Sequence, residues 1–205
     1  RRVEAVRRDF VANVSHELKT PVGAMSLLAE AIQSASDDAE QVQHFARRMQ
    51  SEAARLTNLI QDVIELSRLQ GSEALIDAEP LRVEELVQVS VDEQRTVASS
   101  MDIEILVAGD SGAMVFGDSS QLITALRNLL SNAVHYSTPG TQVAVIVNRV
   151  DDYVDISVKD QGRGIAPGDL DRIFERFYRV DQARSRETGG TGLGLAIVKH
   201  IVSNH

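Results

Sequence analysis

Two apolar stripes at helical spacing constrain this chain more than any other feature. The first runs through Phe10, Val14, Leu18, Pro21, Met25, Leu28 and Ile32. Its steps of three and four are the period of one packed helix face. The second runs through Val42, Phe45, Met49, Leu56, Leu59, Val63 and Leu66. Between them Ser34 to Asp38 reads S-A-S-D-D, a polar turn in which Ser36 or Asp37 is placed to cap the second helix. Both seams are narrow. Two antiparallel helices of this kind cannot bury themselves alone, and pairing with a second copy into a four-helix bundle is the economical solution.

The first seam is irregular near His16. From Arg7 it runs 7, 10, 14, 18, 21, 25, so two steps of four fall together. Such a stutter relaxes a left-handed supercoil locally. Pro21 then removes an N–H donor and is expected to bend the helix just after the histidine. Two readings stand. Either the seam is noisy and Pro21 is tolerated, or this is a weak point that lets the upper helix move.

The rest of the chain changes character. Gly71 to Pro80 breaks the helical pattern with an acidic, proline-ended stretch, expected to be a linker between residues 1–70 and 81–205. Leu81 to Ser99 is helical in pattern. Ile103 to Val107 and Met114 to Phe116 read as strands joined by a G-D-S-G turn. Ser119 to His135 is an amphipathic helix with Leu122, Leu126, Leu129 and Leu130 inward. Gln142 to Val150 and Tyr153 to Lys159 form a predicted hairpin about Asp151-Asp152, and Leu193 to Val202 is again helical. The order helix, hairpin, helix, hairpin, helix predicts an α/β sandwich with helices on one face of a mixed sheet. The chain as a whole is therefore α+β, a helical hairpin followed by that sandwich. With aromatics at 4% of the 205 residues, its core must be packed from aliphatic side chains.

Charge and composition remove several classes. A net charge of −9 argues against a nucleic-acid partner, which calls for a basic face. Cysteine is absent, so there is neither a disulfide framework nor a thiolate metal site. No apolar run approaches the roughly 18 residues of a membrane span. The chain opens on Arg1-Arg2 without a Met and stops at His205, directly after an apolar helical pattern, and reads as an excised fragment.

The chemistry concentrates in two places. Gly162 and Gly164 follow a predicted strand, in D-Q-G-R-G from Asp160. Gly189, Gly190, Gly192 and Gly194 precede a predicted helix. Glycine lets backbone approach a ligand closely, and a helix N-terminus offers free N–H groups to phosphates. Neither run has G-x-G-x-x-G or P-loop spacing, so those two nucleotide folds are excluded. Asn128 and Asn132 are four residues apart on one helix face, where amide oxygens could serve a Mg²⁺ ion or simply face water. The second place is S-H-E-L-K-T-P, Ser15 to Pro21, with a single imidazole on the first helix.

Taken together, the chain resembles the catalytic core of a bacterial two-component sensor histidine kinase. Phe10 to Pro21 resembles the H box, Asn128 to Tyr136 the N box, Asp160 to Gly164 the first glycine box, Phe174 to Tyr178 the F box and Gly190 to Gly194 the second glycine box. The five motifs stand in the family's order over nearly the whole chain. The resemblance is nearest to phosphate-responsive sensor kinases of high-G+C Gram-positive bacteria. It implies ATP and Mg²⁺ as cofactors, a homodimer through the hairpin, and a response regulator as partner. It implies the cytoplasmic portion of a membrane-anchored sensor. His16 matches the phosphoacceptor and Glu17 the acidic neighbour that takes the Nδ1 proton. Thr20 matches the position that orients water for dephosphorylating the regulator. Arg179 matches an arginine near the γ-phosphate. Asn128 and Asn132 match the magnesium and phosphate side, Tyr136 the residue against the adenine, and Asp160 the carboxylate that accepts from the adenine amino group. Gly162, Gly164, Gly190, Thr191, Gly192, Leu193 and Gly194 complete the nucleotide set. The hairpin and the nucleotide domain being separate, the latter must swing to reach His16.

Two departures from the family pattern stand out. His135 occupies a position where relatives often carry a phosphate-reaching Lys, which would shift that work to Arg179 and Arg176 or have no consequence. Relatives continue past the last helix into a strand pair, so weak nucleotide binding is expected of this fragment. His44, His200 and His205 are expected to be bland, and Arg184, Arg186 and Glu187 to lie in a mobile lid. Two other functions remain open at this point. An ATPase of the chaperone or topoisomerase kind would need a carboxylate where Asn128 stands. A non-catalytic scaffold would have no use for Asp160, Asn132 and both glycine boxes.

Overall fold

The computed structural model describes residues 2–71, 78–181 and 190–205. Their packing divides the chain into two compact units. One holds Arg1–Ser67 with Glu175–Leu193, the other Arg68–Phe174 with Gly194–His205.

The first unit is built on the two expected helices, α1 (Arg2–Ser34) and α2 (Ala39–Gly71), the latter ending just inside the second unit. The cap on α2 is one residue later than expected. Asp38, rather than Ser36 or Asp37, accepts the backbone N–H groups of Glu40 and Gln41, both at 3.1 Å. The Gln41 N–H holds its carboxyl below the usual carboxylate range. Asp38 wins because its carboxylate reaches two donors that the first turn leaves unpaired. α1 runs unbroken through Pro21, which is buried. Along both seams the expected residues are the shielded ones, yet only Pro21, Leu59 and Leu66 are fully buried. That is the state of a narrow seam within a single hairpin.

The second unit is an α/β layer. β1 (Glu79–Arg82) leads into α3 (Val83–Ser100), followed by β2 (Ile103–Gly109), β3 (Met114–Gly117), α4 (Ser119–Tyr136), β4 (Thr141–Val150), β5 (Tyr153–Lys159), a single 3₁₀ turn and α5 (Gly194–Asn204). β4 pairs in parallel with β2 and antiparallel with β5, so the three-stranded sheet is mixed as expected. Val143, Val145 and Val147 alternate inward along β4 and pack with Leu86, Val87, Leu130 and Val134 of α3 and α4. The β4–β5 turn falls on Asp151-Asp152, with Asp151 at φ +52°.

One expected hairpin does not form. β2 and β3 belong to different sheets. β3 pairs instead with β1, Leu81 facing Val115. Glu79 and Pro80 from the end of the expected linker, with Leu81 and Arg82 from the expected start of the helix, thus become an edge strand, where the missing N–H of Pro80 is tolerated. β2 is claimed by β4: Gly109 at φ +112° lies so close to Val147 that a Cβ would stand 2.0 Å from its carbonyl oxygen. The remaining linker residues, 72–77, lie outside the described set.

Asp118 caps α4. Its carboxylate accepts the Ser120 hydroxyl at 2.7 Å and the Gln121 N–H at 3.1 Å. Burial opposes the charged form, but the bonds from Ser120 and Gln121 outweigh it and the carboxyl sits below its ordinary value. Asp118→Ala is expected to cost about 1 kcal/mol in urea unfolding at neutral pH. Because the folded value is the lower one, this contribution is present above the unfolded carboxyl value and fades as pH falls through the folded one.

Candidate active site

The phosphoacceptor candidate stands at the edge of a small charged cluster centred on Glu17. His16 lies on α1 with its side chain 76% exposed. Its Nδ1 is 3.8 Å from Oε1 of Glu17, a carboxylate only 21% exposed. The other oxygen, Oε2, receives two guanidinium groups. Arg179 donates to it at 3.0 Å and Arg55 of α2 at 3.4 Å. Both arginine side chains are buried, and Arg55 also lies 3.6 Å from Glu52. Glu17 is thus held from one side by cations and open on the other to the imidazole.

Thr20 follows His16 by one helical turn, and its hydroxyl donates to the His16 carbonyl at 3.2 Å. One residue on, Pro21 has no N–H to offer the Glu17 carbonyl. The helix therefore loses a backbone bond immediately beside the cluster.

Residues 175–181 and 190–193 belong to the same unit as His16. The ring of Phe177 lies 5.9 Å from that of Phe10, and the Arg176 guanidinium sits over the Phe10 ring at 5.5 Å. Phe177 is at φ +63°, a conformation costly for an aromatic residue. Its N–H donates to the Gly192 carbonyl at 2.8 Å, and a Cβ on Gly192 would meet the Phe177 backbone at 2.8 Å. The Thr191 hydroxyl donates to Asp62 of α2. Gly190 and Leu193 flank this turn. Gly189, Arg184, Arg186 and Glu187 lie outside the described residues.

The other candidates lie in the second unit. Asp160 directly follows β5 as an exposed carboxylate, and its Oδ1 accepts the Gly162 N–H at 2.8 Å. Gly162 permits this turn only because it lacks a side chain: a Cβ there would stand 2.3 Å from the carbonyl oxygen of Tyr136. Arg163 lies over the Tyr136 ring at 5.0 Å. Gly164 is at φ +69° with open space around it. The first glycine box is therefore seated against the end of α4.

On α4, Asn128 donates to the Thr124 carbonyl at 2.9 Å, and its Oδ1 would be 2.5 Å from a Cβ on Gly194, the first residue of α5. The side chain of Asn132, half-buried one turn on, makes no hydrogen bond among the described residues. His135 Nδ1 lies 2.7 Å from the Ser131 carbonyl, which holds the proton on Nδ1 and leaves Nε2 an acceptor in the neutral ring.

Residue types and spacing left four contributors unnoticed. Arg55 and Asp62 sit among ordinary helix charges, and nothing local marks them as facing Glu17 and Thr191. His200, expected to be bland, has Nε2 2.8 Å from the Leu69 carbonyl at the end of α2, where it satisfies one of the orphan acceptors. His205 also has partners: its Nε2 accepts the Asp118 N–H at 3.0 Å, and its Nδ1 lies 2.9 Å from the Ile201 carbonyl.

Comparison with known proteins identifies the family. Residues 6–72 match the His Kinase A (phospho-acceptor) domain. Residues 117–205 match the histidine kinase-, DNA gyrase B-, and HSP90-like ATPase family. The chain is 52% identical over 204 residues to the sensor-like histidine kinase SenX3 of Mycolicibacterium smegmatis, covering all of this chain and 53% of that protein. It is 34% identical over 207 residues to the phosphate regulon sensor protein PhoR of Pseudomonas aeruginosa, covering 99% of this chain and 46% of that one. The chain thus spans about half the length of the curated relatives it matches. Among solved structures, a mycobacterial sensor histidine kinase, MprB, is 38% identical with a TM-score of 0.56, over 63% of this chain and 80% of that one.

Proposed function

The chain belongs to the sensor histidine kinase family, and from that membership we propose that it transfers the γ-phosphoryl group of ATP to its own His16 and then to an aspartate of a response regulator. The single observation that carries this reading is the orientation of His16. Its Nδ1 faces the Glu17 carboxylate and its side chain is otherwise open to solvent. Nε2 is then the free nucleophile. Its lone pair attacks the γ-phosphorus, the bond from that phosphorus to the ADP oxygen breaks, and the Nδ1 proton passes to Glu17. No proton needs to leave the attacking nitrogen itself.

ATP is held on this reading by Asp160, which accepts from the adenine amino group, and by Tyr136 against the ring. Gly162 and Gly164 allow the backbone to approach the base. Gly190, Thr191, Gly192 and Gly194 offer backbone N–H groups to the phosphates, and Leu193, whose N–H goes to the Thr191 hydroxyl at 3.2 Å, holds the turn in shape. Asn132, whose amide carries no bond among the described residues, fits an oxygen ligand for Mg²⁺, with Asn128 beside it. Such an ion, when bound, draws charge from the phosphate being transferred. Arg179 assists there once it leaves Glu17. His135, tied to the Ser131 carbonyl through Nδ1, presents Nε2 on this side.

The half-buried seams of α1 and α2 support a homodimer through the hairpin, with exposed Leu27, Ile60 and Ile64 adding apolar surface. Thr20, one turn from His16, suits the orientation of a water that dephosphorylates the regulator. No helix among the described residues is long and apolar enough to cross a membrane. The relatives' description as sensors supports a cytoplasmic placement within a membrane-anchored protein. Nucleic acid is not an expected partner at a net charge of −9.

Product fate tests the reading. After incubation with γ-labelled ATP and Mg²⁺, the label is expected on the protein, labile to acid and stable to base, and to move to a response-regulator receiver domain. Free phosphate without labelled protein would instead make the chain an ATPase of the chaperone or topoisomerase kind. No turnover would make it a scaffold.

A further inference from the structure

We propose that Arg55 is a positioning residue for phosphoryl transfer, acting through Glu17; this rests on the kinase reading above. Arg55 lies on α2, 38 residues from Glu17 in sequence, and its side chain is 7% exposed. A guanidinium buried to that degree requires a counter-charge, since it cannot be neutralised by losing a proton. Glu17 at 3.4 Å and Glu52 at 3.6 Å supply it. The consequence runs both ways. A glutamate has three rotatable side-chain bonds, and on an exposed helix face nothing would keep its carboxylate beside the preceding residue. Arg55 holds one of its oxygens against the opposite helix, which turns the other towards Nδ1 of His16, 3.8 Å away.

Arg179 shares the same oxygen at 3.0 Å. The two cations differ in what else they are asked to do. Arg179 is assigned to the γ-phosphate, and in that role it releases Glu17. Arg55 is carried on α2 and packed within the hairpin, so it remains. The proton acceptor therefore keeps its direction at the moment of transfer, when one of its two ion pairs has been given up. Arg55 touches neither ATP nor the reacting atoms, so its effect passes entirely through Glu17.

The test compares the initial autophosphorylation rate at saturating ATP and the half-saturating ATP concentration for the chain and four variants. These are Arg55→Met, Arg55→Lys, Glu17→Gln and the double variant Glu17→Gln/Arg55→Met. Arg55→Met is expected to lower the saturating rate about tenfold, a fraction of what a general base supplies, with the half-saturating concentration unchanged. Lys at this position restores most of the rate, because it returns the charge. In the Glu17→Gln background, Arg55→Met adds less than about a twofold loss, the non-additivity of groups acting as one unit. If Arg55→Met melts at a lower temperature than the parent, Arg55→Gln is read in its place with the same expectations. Parental activity in both neutral variants overturns the proposal. So does an equal loss in the two backgrounds, or a Lys variant no better than Met, since each makes Arg55 a packing residue. Failure of the unsubstituted chain to label at all is a different result and overturns the kinase reading itself.

Discussion

Asp160→Asn is expected to weaken ATP binding about 10- to 100-fold, the equivalent of a charge-assisted hydrogen bond worth about 1.5–3 kcal/mol. One Asp160 oxygen is already committed to the Gly162 N–H at 2.8 Å, and that bond shapes the turn seated against the Tyr136 carbonyl. Only the second oxygen is available to accept from the adenine amino group. Asparagine has one acceptor and one donor where two acceptors are needed. If its oxygen serves Gly162, its amino group meets the adenine amino group donor to donor. If it serves adenine, the turn loses its bond. Either arrangement forfeits one interaction while volume is conserved, so the melting temperature should hardly move. Titration calorimetry with ATP measures the loss. An unchanged affinity would remove Asp160 from the adenine site.

Glu17→Gln is expected to lower the autophosphorylation rate about 100-fold at saturating ATP, the lower end of what general-base catalysis supplies. Glutamine keeps the length of the side chain and one acceptor for the arginines, but cannot take a proton from Nδ1. ATP affinity should be unchanged, because Glu17 is not among the residues assigned to the nucleotide. Stability should fall, because the buried Arg55 and Arg179 lose an anionic partner. Rate and melting temperature are therefore both informative. A rate near that of the parent would mean that the Nδ1 proton leaves to water and that the cluster is structural.

Much of this was legible in the sequence, for physical reasons that differ by element. The helical seams were readable because a buried face repeats every three to four residues whatever its partner. The β4–β5 hairpin was readable because its strands are adjacent in sequence and the turn carries Asp151-Asp152. β1 was not: four residues including Pro80 carry little strand signal, and β3, which they pair with, is more than thirty residues on. The false β2–β3 hairpin has the same origin, since adjacency was the only pairing cue and the parallel partner of β2 lies beyond α4. At the site, His16, Asn128, Asp160 and the glycines stand out as candidates because they sit in dense local motifs. Arg55, Asp62 and His200 were missed because each acts on a residue far off in the chain. Their role is a property of packing, and periodicity reports only that a position faces inward.

On the kinase reading, Glu17 takes the Nδ1 proton of His16 and leaves Nε2 to attack. Phosphorus–nitrogen correlation by NMR on the ¹⁵N-histidine-labelled chain, after reaction with ATP and Mg²⁺, tests this directly, with His16→Gln as the assignment control. The expected result is one phosphohistidine, bonded through Nε2 and absent from the His16→Gln chain. Phosphate on Nδ1, or a phosphohistidine that persists without His16, would contradict it.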